Sequence, residues 1–187
     1  MNNKCSGKED LGLKKIYDSR DEIQNYFGTI IQNANDIVQC MFVSGNFISA
    51  VDLERIISLN KNLQFRFLLL NPQSKFLDER NKDLKTHGQY EIRISEWATV
   101  ISALQKFKYV KLRFYVFYPF WHLVIIDNCK VYVSYNPSYT LGYTGIPLFL
   151  FEDNGEKTSM ASAFNEYFDI VFRGGLRLKK RDSNSKE

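Results

Sequence analysis

The sequence contains few of the residues that build metal, disulfide and hydrolase sites. It has two histidines and three cysteines in 187 residues. The cysteines, Cys5, Cys40 and Cys129, are widely spaced, and no Cys-x-x-Cys pair occurs. An odd number of separated thiols argues against a disulfide framework and a zinc site, and favours reduced thiols in a cytoplasmic protein. Gly-x-Ser-x-Gly, glycine-rich phosphate-loop and His-Glu-x-x-His motifs are also missing. We therefore expect no metal and no cofactor.

Long apolar runs and a strong charge are missing as well. No apolar stretch reaches the roughly 18 residues that span a bilayer, and residues 1–10 are polar, without an apolar leader. We expect no membrane span. The formal net charge is +4, and much of the excess follows Leu176, so the composition of the folded body does not demand a nucleic-acid patch. The cations of this stretch are Arg177, Lys179, Lys180, Arg181 and Lys186.

What the sequence does contain is a large apolar and aromatic fraction in alternating patterns. Apolar residues make up 44% of the chain and aromatic residues 15%. Helical spacing and strand-like runs alternate, which predicts an α/β domain with a mixed, largely central sheet and helices on both faces. The predicted helices cover 18–34, 47–59, 94–107 and 159–172, with a loop and a short helix in 73–85. The predicted strands cover 37–43, 63–70, 109–118, 121–126, 131–135 and 147–151.

The predicted organisation is one domain between two polar ends. Residues 1–10 are expected to form a flexible N-terminus, residues 11–175 the domain, and residues 176–187 a basic, disordered tail. The tail could contact nucleic acid or anionic lipid. A solvated end is the more common structure for such a charge run.

Two consecutive strands near the middle of the chain carry a small group of polar residues. The first strand contains Phe120 and His122 and ends at Asp127, and the second ends in Ser134-Tyr135-Asn136. This pattern resembles the core of the phospholipase D-like superfamily. There, a His-x-Lys, four mostly apolar residues and an Asp precede a strand with Ser and Asn. The resemblance implies a nucleophilic His, a Lys that neutralises phosphate oxygens, and an Asp that orients the imidazole or sets the turn.

The sequence departs from this family at the two reacting positions. With Asp127 on the family Asp, Phe120 stands at the position of the nucleophile and His122 at that of the lysine. With His122 as nucleophile, Val124 takes the lysine position and Asp127 comes two residues too early. A phenyl ring cannot attack phosphorus. The resemblance therefore implies the fold and argues against the reaction.

The resemblance extends over residues 11–173. Segments 12–20, 44–45 and 67–74 look like bacterial single-domain phospholipase D-like proteins of uncertain function, many of which lack a full His-x-Lys. Because two half-sites face each other in this family, the resemblance implies a homodimer. It also implies a phosphate-containing ligand or nucleic acid as partner.

Five residues are candidates for ligand binding, and each has a structural alternative. Arg20 suits a phosphate or a surface ion pair, and Asn71 follows a predicted central strand, where α/β folds bind ligands. His122 is either a ligand contact or a core histidine, and Ser134 and Asn136 serve either a site or a turn. For residual catalysis within the family motif His122 and Asp127 are the candidates, and turn chemistry alone also explains Asp127.

Three hypotheses remain open for the function. The first is a non-catalytic domain that binds a phosphate-bearing ligand, a nucleotide or a partner in a vestigial cleft. The second is a metal-independent phosphodiesterase or nuclease with altered catalytic residues, for which Cys129 and Tyr132 are the nearby substitute nucleophiles. The third is a regulatory or structural interaction protein without a small ligand. An aromatic group suits a core, an interface or base stacking alike; it comprises Tyr115, Phe117, Tyr118, Phe120 and Trp121.

Overall fold

The computed structural model describes most of the predicted domain. The described residues are 11–19, 22–23, 26–43, 49–88, 92, 94–136, 146–153, 155 and 159–177. The expectations for residues 1–10, for Arg20 and for residues 178–187 lie outside them. Within the described residues, no helix is long and apolar enough to cross a membrane.

Seven strands form one mixed sheet. In the order in which they lie, the strands are β1-β7-β6-β5-β2-β3-β4. Strands β2, β3 and β4 are parallel, and all other neighbours are antiparallel. The strands are β1 (Leu13–Tyr17), β2 (Ile37–Phe42), β3 (Gln64–Leu70), β4 (Val110–Tyr115), β5 (Trp121–Ile126), β6 (Lys130–Tyr135) and β7 (Leu148–Glu152).

Helices cover both faces of this sheet, as the sequence predicted. Helix α5 lies on one face, where Asp169 pairs with Arg66 of β3 at 3.1 Å. Helices α1 and α2 lie on the other face: the ring of Phe27 contacts that of Phe42, and the carbonyl oxygen of Ile57 accepts a hydrogen bond from the Tyr109 hydroxyl. The described helices are α1 (Tyr26–Ile31), α2 (Ala50–Leu59), α3 (Lys75–Thr86), α4 (Ile94–Gln105) and α5 (Met160–Gly174).

The parallel strands lie in the centre of the core. All six residues of β2 are buried, and four consecutive residues at the end of β3 are buried as well. Strands with continuous apolar runs are typical of sheets covered on both faces. The predicted succession of a strand, a helix and a strand over 37–70 is therefore confirmed, and α2 connects the parallel strands β2 and β3.

Several elements differ from the sequence-based predictions. The helix predicted over 18–34 is shorter among the described residues and covers Tyr26–Ile31, and β1 lies where no strand was predicted. The segment predicted as a loop and a short helix is the 12-residue helix α3, with Ser74 as N-cap. Its buried face consists of Leu77, Arg80 and Leu84. Because an arginine interrupts the apolar stripe, the full length of the helix is hard to recognise from the sequence. At the C-terminus, Leu176 exchanges two backbone hydrogen bonds with Phe114 of β4. These two hydrogen bonds hold Leu176 against the outer strand of the sheet.

Candidate functional site

One edge of the sheet collects most of the predicted site residues. Strands β2, β3 and β4 end there, and since β5 is antiparallel to β2 and β6 to β5, β5 begins there and β6 ends there. We call it the carboxyl edge. It holds His122 at the start of β5, Ser134 and Asn136 at the end of β6, and Asn71 directly after β3. The structure thus brings four of the five predicted ligand-binding residues to one edge.

His122 lies in an aromatic environment at this edge. The residue is 2% exposed. Its ring centroid lies 4.5 Å from that of Phe42 and 6.0 Å from that of Tyr26. Its partner across the strand pair is Ser134, and directly opposed residues point to the same face of a sheet. The imidazole and the Ser134 hydroxyl are therefore on the face that carries α1.

Ser134 and Asn136 present buried polar atoms beside this histidine. The Oγ atom of Ser134 and the Nδ2 atom of Asn136 are buried and have no hydrogen-bond partner among the described residues. Ser134 is directly opposed to His122 and shares its face of the sheet, and Asn136 directly follows β6 at the same edge. The backbone N–H of Asn136 donates to the carbonyl oxygen of Phe120 at 2.7 Å, which fixes the end of β6 against the start of β5.

The sequence resemblance aligns Phe120 with the position of the family nucleophile. Its side chain is 60% exposed, and its ring lies 5.1 Å from that of Tyr118. The ring offers no lone pair and no acidic proton, so it cannot form a bond to phosphorus. The structure leaves this position accessible but without a nucleophile.

Asp127 lies at the opposite end of β5. Five residues of extended chain separate it from His122, a distance of about 17 Å. Its carboxylate accepts hydrogen bonds from the backbone N–H groups of Asn35, Asp36 and Ile37 at 2.8 to 3.0 Å. Asp127 and Asn128 both have positive φ, and the N–H of Cys129 donates to the Ile126 carbonyl at 3.0 Å. Asp127 therefore sets the β5–β6 turn and does not touch the imidazole.

The hydrogen bonds to Asp127 also change its acidity. Burial acts to raise the pKa of the carboxyl group, but the backbone N–H groups of Ile37, Asp36 and Asn35 act in the opposite direction and lower the pKa from its usual range. A carboxylate that accepts several backbone hydrogen bonds is stabilised in its charged form. The ionised side chain thus holds the start of β2 against the turn.

Asn71 lies at the carboxyl edge but uses its carbonyl group locally. Its Oδ1 atom accepts a hydrogen bond from the N–H of Gln73 at 2.9 Å, which makes a short turn before Ser74. Two strand spacings, about 10 Å, separate β3 from β5. Asn71 therefore belongs to the rim of the edge rather than to the group around His122.

A buried arginine at the same edge was missed by the sequence analysis. Arg80 is 3% exposed. Burial raises the pKa of the Tyr118 hydroxyl, whereas the positive charge of Arg80 acts to lower it. The Tyr118 hydroxyl in turn lies 3.1 Å from Asp83 Oδ2. The spacing of Leu77, Arg80 and Leu84 is the signal that could have predicted this burial, because it places the three on one helix face.

Neither substitute nucleophile is activated. Cys129 lies in the β5–β6 turn, at the end of β5 remote from His122, and is half-buried. Burial, followed by the negative charge of Asp127, raises the pKa of its thiol. Burial raises the pKa of the Tyr132 hydroxyl as well. A raised pKa leaves the thiol and the phenol protonated at neutral pH, the less reactive form of each.

The comparisons with known proteins bear on the fold. No protein-family model matches the chain, and no curated protein matches it. Solved structures do match. Nuc from Salmonella typhimurium, a phospholipase D family member, is 12% identical with a TM-score of 0.53, over 87% of this chain and 95% of that one. The fold is phospholipase D-like.

Two further solved structures are similar in fold to the chain. NucT from Helicobacter pylori is 15% identical with a TM-score of 0.52, over 88% of this chain and 98% of that one. TrmBL2, an archaeal chromatin protein with a novel mode of DNA binding, is 14% identical with a TM-score of 0.53, over 88% of this chain and 54% of that one. The chain thus spans about half the length of TrmBL2. At these identities the likeness concerns the fold alone.

Proposed function

We propose that the chain is a non-catalytic phospholipase D-like domain that binds the phosphate group of a nucleotide or another small ligand at the carboxyl edge. The observation that carries this proposal is the pair of buried atoms, Ser134 Oγ and Asn136 Nδ2, that have no partner among the described residues. A buried polar group without a hydrogen bond costs about 1–3 kcal/mol. A phosphate oxygen would satisfy both donors.

The chemistry of the edge suits binding better than reaction. A serine hydroxyl and an amide NH₂ are hydrogen-bond donors, and the imidazole of His122 can donate as well. The dianionic phosphate group of a nucleotide offers only acceptors. Since Phe120 stands at the nucleophile position and Cys129 and Tyr132 have raised pKa values, we propose that the phosphoryl group is held and not transferred.

Ligand binding tests this proposal directly. Thermal unfolding would be followed with inorganic phosphate, AMP and ADP, because a ligand that binds only the folded state raises the melting temperature. We expect a rise for at least one of the three with the unmodified protein. We expect a rise at least several-fold smaller with Ser134→Ala and Asn136→Ala, since each removes one donor worth about 1 kcal/mol. Asn62→Ala, at an exposed position, is the matched control.

Hydrolysis of bis(p-nitrophenyl) phosphate in EDTA separates this proposal from an altered phosphodiesterase. We expect no turnover with the unmodified protein. Turnover that disappears in His122→Ala would overturn the non-catalytic proposal and favour the phosphodiesterase. The absence of any response to phosphate, AMP or ADP would instead favour an interaction protein without a small ligand.

We also propose that the chain forms a homodimer through the carboxyl edge in the cytoplasm. Several large apolar side chains around this edge are exposed: Val116, Phe120, Trp121 and Tyr135. Aromatic residues of this kind are enriched in protein interfaces. Light scattering after size exclusion should give the mass of two chains, and Phe120→Asp should give that of one. A monomeric unmodified protein would contradict this proposal.

A further inference from the structure

A groove lined by cationic side chains runs along the face of the sheet that carries α5, opposite to the face of His122. It has a volume of about 730 Å³ and lies between edge strand β4 and the end of α5. Five cationic side chains and a single carboxylate are among the described residues that line it, which leaves an excess of four positive charges. This excess equals the formal net charge of the whole chain, +4. The charged residues of this basic groove are Arg66, Lys111, Arg113, Asp169, Arg173 and Arg177.

Two of the arginines are held in place before any ligand arrives. The Cζ atoms of Arg66 and Arg113 lie 5.6 Å and 5.1 Å from the ring centroid of Phe172. Arg66 Nη1 donates to Gln39 Oε1 at 3.3 Å and to Asp169 Oδ1 at 3.1 Å. A guanidinium fixed in this way loses less conformational entropy on binding an anion.

Local structure explains only part of this cluster. Arg113 Nη1 donates to the carbonyl oxygens of Arg173 and Gly175 at 3.4 Å and 3.3 Å, and cations are favourable at a helix C-terminus because of the helix dipole. That argument does not apply to Lys111, which is exposed on β4, or to Arg66. The Nε atom of Arg66 is buried and has no hydrogen-bond partner among the described residues.

The groove is separate from the carboxyl-edge site. Arg66 pairs with Gln39 across β2 and β3, whereas Cys40 and Val124 lie on the face of His122. Residues alternate between faces along a strand, so Arg66 and Arg113 point away from His122. Three strand spacings, about 14 Å, also separate β4 from β5.

We infer that this groove binds the phosphate backbone of a nucleic acid, independently of the function proposed for the carboxyl edge. Arginine forks match phosphate oxygens, and four of the five cations are arginines. Lys111 and Arg113 are two residues apart on one strand, about 7 Å, so they present successive charges along a line. The aromatic ring of the groove, Phe172, is buried and cannot stack on bases. Binding is therefore independent of nucleotide sequence.

Binding to labelled nucleic acid tests the inference. Fluorescence anisotropy with a short fluorescein-labelled duplex DNA would be measured from about 50 mM to about 200 mM salt. Lys111→Glu with Arg177→Glu changes two exposed cations. We expect at least a tenfold loss of affinity, and a slope of log K against log salt that is smaller by about 2, since each phosphate contact contributes about 0.9. Asp169→Asn should raise the affinity several-fold, because it removes the negative charge while the Asn oxygen can still accept the hydrogen bond from Arg66.

Two controls make the result decisive. Lys14→Glu with Lys61→Glu changes the net charge equally at exposed positions outside the groove, and we expect less than a threefold effect. Substitution of Lys179, Lys180 and Arg181 by Gln tests the tail, and we expect a smaller loss than for the groove variant. Equal losses for the groove and the Lys14/Lys61 variants would overturn the inference. So would a loss confined to the tail variant, or binding of a polyglutamate peptide in the absence of DNA binding.

Failure of the inference is distinguishable from failure of the proposed function. Ser134→Ala alters the carboxyl edge only, so we expect it to leave the DNA affinity unchanged within twofold. A loss of DNA binding in Ser134→Ala, with the groove variant unaffected, would place the nucleic acid at the carboxyl edge and overturn the inference.

Discussion

At the scale of single residues, Asp127 joins the start of β2 to the β5–β6 turn. Its carboxylate accepts three backbone hydrogen bonds at the start of β2, about 17 Å from His122 along β5. Asp127→Asn keeps a residue type that tolerates positive φ and removes the charge. We expect a loss of about 1 kcal/mol in the free energy of unfolding at neutral pH, a value reduced for partial exposure. Urea unfolding measures it.

The pH dependence of this effect has a definite sign. The pKa of Asp127 is lowered in the folded protein, so its contribution is present above the unfolded pKa, about 3.9. It is lost as the pH falls through the lower, folded value. The stability difference between the unmodified protein and Asp127→Asn should therefore shrink below about pH 4. A difference that grew on acidification would contradict this assignment.

The two described cysteines should be poor nucleophiles for different reasons. Burial raises the pKa of Cys40, which is completely buried, and burial together with the charge of Asp127 raises that of Cys129. We expect iodoacetamide to label Cys129 slowly at neutral pH and Cys40 only after unfolding, as read from peptide masses. Asp127→Asn should speed the labelling of Cys129, since it removes a neighbouring negative charge. Labelling of native Cys129 at the rate of the unfolded chain would refute this prediction.

At the scale of elements, edge strand β1 depends on a close backbone approach at Gly12. Gly12 has a φ of 77°, and a Cβ atom there would lie 2.2 Å from the carbonyl oxygen of Glu152. The Gly12 carbonyl also accepts a hydrogen bond from the Glu152 N–H at 2.8 Å. We expect Gly12→Ala to destabilise the protein by about 3 kcal/mol, from backbone strain and displacement of β1 from β7. Thermal and urea unfolding measure this loss.

Gly155 provides the matched control for this variant. Its φ is 79°, but a Cβ atom at this position would have no heavy atom within 4 Å other than those of its chain neighbours. Gly155→Ala should therefore show only the cost of a left-handed backbone, about 1 kcal/mol. Equal losses for the two variants would mean that the contact with Glu152 contributes nothing.

The elements differ in how well the sequence predicts them, and the reason is burial. Strands β2, β3 and β5 are covered on both faces, so their apolar runs mark them. The length of helix α3 was underestimated because Arg80 occupies a position where an apolar residue would have completed the helical pattern. Edge strand β1 was not predicted as a strand, since an edge strand with exposed residues has no strong pattern.

At the scale of the whole molecule, the two proposed sites differ in how visible they are from sequence. His122, Ser134 and Asn136 come from two consecutive strands, and a β-hairpin brings them together by local pairing. The basic groove joins residues of β3, β4, α5 and the segment after it. No spacing along the chain predicts that meeting. The formal net charge of the chain also gave no indication of the basic groove, because acidic residues elsewhere offset most of the cations.

The two sites should act independently, because they lie on opposite faces of the sheet. Effects of substitutions more than about 10 Å apart usually add, and at physiological salt the Debye length of about 8 Å screens charges across the sheet. We expect Ser134→Ala to lower the affinity for AMP by the same factor with and without Lys111→Glu and Arg177→Glu. Calorimetry on the four proteins of this cycle gives the coupling. A coupling above about 1 kcal/mol would mean that one ligand contacts both faces around the edge of the sheet, and the two sites would then be parts of a single binding surface.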